Sequence, residues 1–356
     1  LFTALLLKRR GVAREVVVWE RDREDSAGFG VILPPGAPEL IRQSLSLLAN
    51  AIAEELVHWE TTTVRRGSES WTTSALPRMS AIARSSVNRL LWAACESEGV
   101  TLREREAPTL RELSADHDLV VCADGAGSQA DNAGFDTTIR HLGPPYAWLG
   151  LDHAVDGLTF LAEPTPDGLY MAHAYPFASA ASTFLVEGPH ALDHAEVGRL
   201  FGVCVRTSPS QDACVWRTFR ERTVRPWSRE NVVLVGDAAH TTHYSIGYGT
   251  CLALEDAMAL VDSLAAGRDL APALRAYEDA RRPAVERSQE RGRISAQWFA
   301  RAADEIDLPL SRFAANLLTR GGRLSGEPSP AANGRRPGRP RTGQRVAAAE
   351  SHGTLS

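Results

Sequence analysis

One stretch constrains this chain more than any other: residues 231–250, NVVLVGDAAHTTHYSIGYGT. The run NVVLV is short, apolar and rich in β-branched residues, the pattern of a strand buried on both faces of a parallel sheet. It runs into Gly236-Asp237-Ala238-Ala239-His240, then into Gly247-Tyr248-Gly249-Thr250. A helix is predicted from about residue 250 to 265, with Leu254, Ala257, Met258, Val261 and Leu264 on one face and Gly267 as its stop. Such a strand carries Asp237 to a ligand, the small residues let that ligand come close, and the glycine turn opens a helix N-terminus. The first N–H groups of a helix have no partner within it and carry partial positive charge, so they suit an anionic group. A loop that merely turned the chain would need no acid at the strand tip.

Two further strand ends fit the same plan. Residues 118–122 form a second apolar run, followed by Ala123-Asp124-Gly125-Ala126-Gly127-Ser128. Residues 15–20 (EVVVWE) form a third, expected to be buried and ending in Glu20. In dinucleotide folds an acid at the second strand's tip accepts hydrogen bonds from ribose hydroxyls. Taken singly, a solvated strand-end acid or an Asp-Gly turn explains each as well. Gly28-Phe29-Gly30 reads as the start of a glycine-punctuated loop closed by Pro34-Pro35, and residues 39–56 and 84–98 read as helices. From Tyr146 to Glu187 the pattern changes to aromatic, alternating stretches (LTFLAE, GLYMAHAYPF, STFLVE), the mark of antiparallel strands. The expected fold is α/β, with one domain over residues 1–62, 80–140 and 225–320 interrupted by an antiparallel layer over 63–79 and 141–224. In that layer His173 and Tyr175 alternate on one strand and face the same side, where they could touch a substrate or simply pack. His58, beside Trp59, is a further pocket candidate.

Composition closes off other classes. A net charge of −5 argues against a general nucleic-acid binder. RPGRPR at 336–341 resembles a minor-groove AT-hook, but a basic, disordered tail over 326–356 explains it better. No apolar run nears the ~20 residues of a membrane span. The apolar residues 1–7 precede Lys8-Arg9-Arg10, the reverse of a secretory order, so the cytoplasm is expected. Five scattered cysteines make neither a disulfide framework nor a zinc site. His240 and His243 lack the carboxylate or thiolate partners of a metal centre, and no metal is expected. Oligomeric state is left open.

With these motifs in hand, the chain resembles the class A flavoprotein monooxygenases of the para-hydroxybenzoate hydroxylase fold, an FAD-binding Rossmann-like domain carrying an inserted antiparallel substrate domain. ADGAGS (123–128) and GDAAH (236–240) look like the family's Asp-Gly and Gly-Asp motifs, Arg84 matches the arginine near the flavin phosphates, and YEDARRP (277–283) fits its C-terminal helices. A closer resemblance is to the subgroup of salicylyl-CoA and anthraniloyl-CoA hydroxylases and a tryptophan hydroxylase of violacein biosynthesis. GFGVILP, HWE, YAWLGLD, AHAY, STFLVE, HYSIGYGT and SRFAANLLTR carry that likeness across residues 28–320.

The resemblance implies a monooxygenase in which NADH or NADPH reduces FAD and O2 supplies an oxygen atom to an aromatic ring bearing a hydroxyl or amine. The ring belongs to an aryl-CoA thioester or related aromatic acid, with an indole-type substrate or a catalytically impaired relative as the alternatives. It implies FAD contacts at Glu20, Gly30, Arg84, Asp124, Gly125, Gly236, Asp237, Gly247, Gly249 and Thr250, substrate contacts at His58, His173 and Tyr175, and no catalytic side chain, since the flavin carries the chemistry. Two departures stand out. The family's opening strand and G-x-G-x-x-G turn have no counterpart here, so the chain as given is expected to bind FAD poorly. An arginine that usually follows the Asp-Gly motif is replaced by Gln129-Ala130-Asp131.

Overall fold

The computed structural model describes residues 1–21, 29–74, 77–207, 213–267 and 269–320. Gly28 and the basic tail over 326–356 lie outside them. In chain order the first elements are α1 (Phe2–Arg9), β1 (Val17–Trp19), β2 (Gly30–Leu33), α2 (Ala37–Ser44), α3 (Ser46–Glu55), β3 (Val57–Trp59), β4 (Thr62–Arg66) and β5 (Glu69–Thr73). There follow β6 (Met79–Ala83), α4 (Arg84–Ser97), β7 (Thr101–Arg103), α5 (Leu110–Asp116), β8 (Val120–Cys122), β9 (Asp136–Leu151), β10 (Leu158–Thr165), β11 (Gly168–Ala178) and β12 (Ala181–Glu187). The chain continues with α6 (His194–Phe201), β13 (Val205–Arg206), β14 (Trp216–Arg225), β15 (Ser228–Arg229), β16 (Val232–Leu234), α7 (Gly249–Ala265), α8 (Leu270–Ala300) and α9 (Leu310–Thr319).

Two short parallel ladders, β1 with β7 and β8 with β16, form the α/β part. The antiparallel part is an eight-stranded sheet in which β9, β12, β11 and β10 run side by side, β14 and β13 pair with β9, and β4–β5 extend the far edge. A further sheet, β2-β6-β3, packs through Phe29, Trp59 and Ala81 on Tyr175 and Phe177 of β11. The α/β class and the inserted antiparallel sheet are as the sequence implies.

Three local expectations need correction. Residues 30–33 are strand, not loop: Val31, Ile32 and Leu33 pair with Ile82, Ala81 and Ser80, and the first strand position is a glycine because a Cβ there would stand 2.4 Å from that of Phe177. The helix expected over 39–56 is two helices. Leu45 leaves helical geometry (φ −147°, ψ 74°) and buries its side chain in one core with Ile41 and Leu48. β1 is a strand, but only half-buried, because among the described residues it pairs with β7 on one edge and with no strand on the other.

Helix α7 organises the interior. Its predicted face (Ala257 and Val261, with Leu254, Met258 and Leu264) packs against α1 and α4, with Leu5, Leu6 and Cys95. A second face, Leu252 and Leu260, packs on β16 with Val233 and Leu234. A helix buried on two sides needs apolar residues round most of its circumference, which is why the single stripe read from sequence understates it.

Candidate active site

The register Leu234↔Cys122 ends β8 and β16 at the same level, and Val235 N–H donates to the Cys122 carbonyl at 3.0 Å. Asp124-Gly125 and Gly236-Asp237 therefore leave neighbouring strands side by side. Gly236 has φ +58°, and a Cβ there would lie 3.1 Å from that of Ala253, so glycine both permits the turn and lets it press on α7. Asp124 accepts from Gln129 N–H at 2.8 Å, closing its own turn. The Asp237 carboxyl reaches solvent but is ringed by protein. That desolvation raises its pKa, against the attraction of His240 and Arg84, so Arg84 at the start of α4 lies within electrostatic reach of Asp237. Past Gly247 (φ +62°), α7 begins at Gly249-Thr250 with no side-chain cap, which leaves its first N–H groups directed at the turn.

The turn is clamped from below by residues the sequence reading did not single out. Asp256, fully buried on α7, accepts from Gly236 N–H (3.1 Å) and meets His240 Nε2 (2.7 Å) with one oxygen, and accepts from Arg281 Nε (2.8 Å) with the other. Burial pushes this carboxyl's pKa up, but its bonds to His240 and Arg281 outweigh that and hold it below the usual value. Arg281 also pairs with Glu255, which accepts from Tyr248 Oη at 2.9 Å. A second strut is Arg222 on β14, with no exposed surface. Its Nε donates to the Ala238 carbonyl (2.8 Å) and its Nη1 pairs with Asp131 (2.6 Å). Asp131, the departure noted after the Asp-Gly motif, thus joins that motif to the Gly-Asp motif through an arginine from another strand.

On the substrate-sheet side, a cluster gathers segments far apart in sequence. Tyr244, three residues before Gly247, donates its hydroxyl to Glu187 Oε2 on β12 at 3.0 Å. Its ring meets Tyr146 (4.5 Å between centroids), His243 (4.1 Å), Phe219 (5.9 Å) and His173 (6.2 Å, stacked). Arg320, at the end of α9, donates through Nε to Ser295 and lies over Phe299 and Phe160. Burial and the Arg320 charge lower His173 to a pKa of about 4, and burial, His173 and Arg320 lower His243 to about 3, so both are neutral near pH 7. Burial raises Glu187 to about 7 against the pull of Tyr244 and Arg320. AHAY, STFLVE, HYSIGYGT and SRFAANLLTR, separate likenesses in the sequence, meet here. Glu187, Tyr244 and Arg320 went unnoticed because periodicity cannot show which distant strands and helix ends converge.

The remaining expected residues fall elsewhere. Glu20 stands exposed at the end of β1, its N–H bonded to the Arg103 carbonyl. Gly30 directs its N–H to Thr183 Oγ1 (2.9 Å), and its carbonyl accepts from Tyr175 Oη (2.9 Å), so both stitch β2 to the substrate sheet. His58 is exposed on β3, its pKa lowered by partial desolvation and Arg78. The neighbouring Trp59 is the residue that turns inward, stacking on Tyr175 at 6.1 Å. His240 and His243 serve different partners, Asp256 and Ser245.

An uncapped helix N-terminus, two positive-φ glycines and an enclosed carboxyl that still reaches solvent fit the anionic and hydroxyl-bearing parts of FAD. Residues 195–291 match the FAD binding domain family. Across most of its length the chain is similar to 3-hydroxy-4-methyl-anthranilyl-[aryl-carrier protein] 5-monooxygenase of Streptosporangium sibiricum, at 43% identity over 90% of this chain and 91% of that one. It is 36% identical to salicyloyl-CoA 5-hydroxylase of a Streptomyces species over 90% of this chain and 67% of that one. Among solved structures it shares the fold of tetrameric 2-methyl-3-hydroxypyridine-5-carboxylic acid oxygenase (TM-score 0.71, 20% identity, 89% of this chain and 92% of that one). The chain belongs to the FAD-dependent aromatic monooxygenases of the class A type: it uses FAD, with NAD(P)H as reductant and O2 as oxygen source, to hydroxylate an aromatic substrate. No described helix is long and apolar enough to cross a membrane.

Proposed function

We propose that the substrate is an amino- or hydroxybenzoyl group held as a thioester, on coenzyme A or on a carrier protein, and that the reaction takes place in the cytoplasm. The observation that carries this reading is the position of Tyr244. The segment that ends in the α7 turn also lays this ring against Tyr146 and His173 of the substrate sheet, so one loop borders both partners of the reaction. The thioester form is drawn from the two relatives, whose names specify a carrier-protein and a CoA derivative.

In this reading Asp237, Arg84, Asp124-Gly125 and the Gly247–Thr250 turn hold FAD, with Gly236 shaping the approach. FAD supplies the electron transfer and oxygen activation, and the protein's task is to seat the ring and keep water out. The aromatic walls around Tyr244 do the second. Neutral His173 and His243 set no charge against the bound ring. The test is turnover under 18O2 with aminobenzoyl-CoA, hydroxybenzoyl-CoA and the same acyl groups on a carrier protein. Substrate-stimulated NAD(P)H consumption with one 18O in the aryl product is expected. Peroxide release without oxygen insertion for every aryl thioester, or insertion only into the free acids, would overturn the thioester reading.

A further inference from the structure

Glu187 is 3% exposed, and its two carboxylate oxygens differ. Oε2 accepts the Tyr244 hydroxyl at 3.0 Å, whereas Oε1 is buried with no hydrogen-bond partner. Tyr244 has a single hydroxyl hydrogen and gives it to Glu187, so its oxygen can only accept another bond. With Glu187 ionised, every position this pair leaves open is thus an acceptor. Arg320 is close enough to favour the ionised carboxylate, but its bonds go to Ser295 Oγ and the Ser245 carbonyl. The rings of Tyr146, His173 and Phe219 around Tyr244 make the surroundings apolar, where an unmet acceptor is costly.

We propose that Glu187, together with Tyr244, determines specificity by accepting a hydrogen bond from an amine or hydroxyl on the substrate ring. The proposal rests on the reading of the protein as an aryl hydroxylase and names the residues that choose the ring. A site built to receive a donor leaves its own groups unpaired when the donor is missing, and so rejects such analogues far more strongly than an apolar pocket rejects a change of size.

At about pH 8.5, where Glu187 is ionised, the FAD-loaded full chain is titrated calorimetrically with benzoyl-CoA and its 2- and 3-amino and 2- and 3-methoxy derivatives, and in parallel with the corresponding benzamides. The wild type should bind an amino compound at least about 10-fold tighter than its methoxy counterpart. In Glu187→Gln the Tyr244 hydroxyl keeps the amide oxygen as its acceptor, which turns the NH2 toward the open position, so the preference should vanish or reverse toward methoxy. Tyr244→Phe removes one acceptor and should shrink the preference by about 3-fold. This second variant decides the matter if Glu187→Gln does not fold. An amino preference unchanged in a folded Glu187→Gln or in Tyr244→Phe, or no preference in the wild type, overturns the proposal. CoA thioesters that bind no tighter than benzamides would sink the thioester reading alone, since the benzamide series still tests Glu187.

Discussion

Two buried carboxylates, Asp256 and Glu187, grip residues 236–250 at different points, and their oxygens are finished differently. Beneath Gly236-Asp237 both oxygens of Asp256 are engaged, by Gly236 and His240 on one side and Arg281 on the other. Around Tyr244 the Glu187 Oε1 and His243 Nε2 atoms have no partner. A buried carboxylate with both oxygens engaged stiffens what it holds, whereas one with an open oxygen is costly unless something else completes it. The first is scaffolding that fixes a cofactor turn. Under the proposal above, the second is completed by the substrate ring.

Three experiments would break or sharpen that contrast. The largest effect should come from Asp256→Ala, which leaves the Gly236 N–H without its acceptor and the Arg281 charge with Glu255 alone. Loss of one member of a buried ion pair costs about 3–5 kcal/mol, read as a fall in the denaturant midpoint without added FAD. Asp237→Ala, only a turn away, should leave that midpoint nearly unchanged and weaken FAD binding by about 1–3 kcal/mol. Equal loss of stability in both variants would erase the distinction between clamp and site.

Next is the pH dependence of Glu187→Gln. Tyr244, Tyr146, His173, His243 and Arg320 face or lie near this carboxyl, and its folded pKa is raised to about 7. A raised carboxyl contributes stability that is fully present below its unfolded pKa and lost as pH rises through the folded one. Glu187→Gln should therefore match the wild type near pH 4 and exceed it by about 3 kcal/mol above pH 8. His173 and His243, with depressed pKa values, work the other way. They destabilise the fold as pH falls from 6.5 toward 4, so acid sensitivity masked in the wild type should appear in the variant. A pH-independent difference between the two proteins would show that Glu187 is not titrating in the folded state.

The smallest effect is Tyr175→Phe. Its hydroxyl holds the Gly30 carbonyl, so thermal unfolding should register a loss of about 1 kcal/mol while aryl-ligand affinity stays within about 2-fold. A large change in affinity with stability intact would move Tyr175 from the seam between sheets into the substrate site.

The chain's own order determined a good deal. Residues 232–234 and 120–122 are strands and 249–265 a helix because apolar periodicity and glycine stops are local properties of the backbone, and the acids Asp124 and Asp237 are legible because they follow those strands directly. The change from apolar runs to alternating aromatic stretches located the antiparallel sheet for the same reason. Only the tertiary structure decided the rest. Gly30 is a glycine because Phe177, 147 positions away, fills its Cβ space. Asp131 matters because Arg222 arrives from another sheet, and Glu187 becomes half of a pair only when the loop at 244 meets the end of β12. Periodicity reports what a residue does to its neighbours within a few turns. Close packing and the pairing of buried charges are set by which distant surfaces are brought into contact, and no local pattern encodes that.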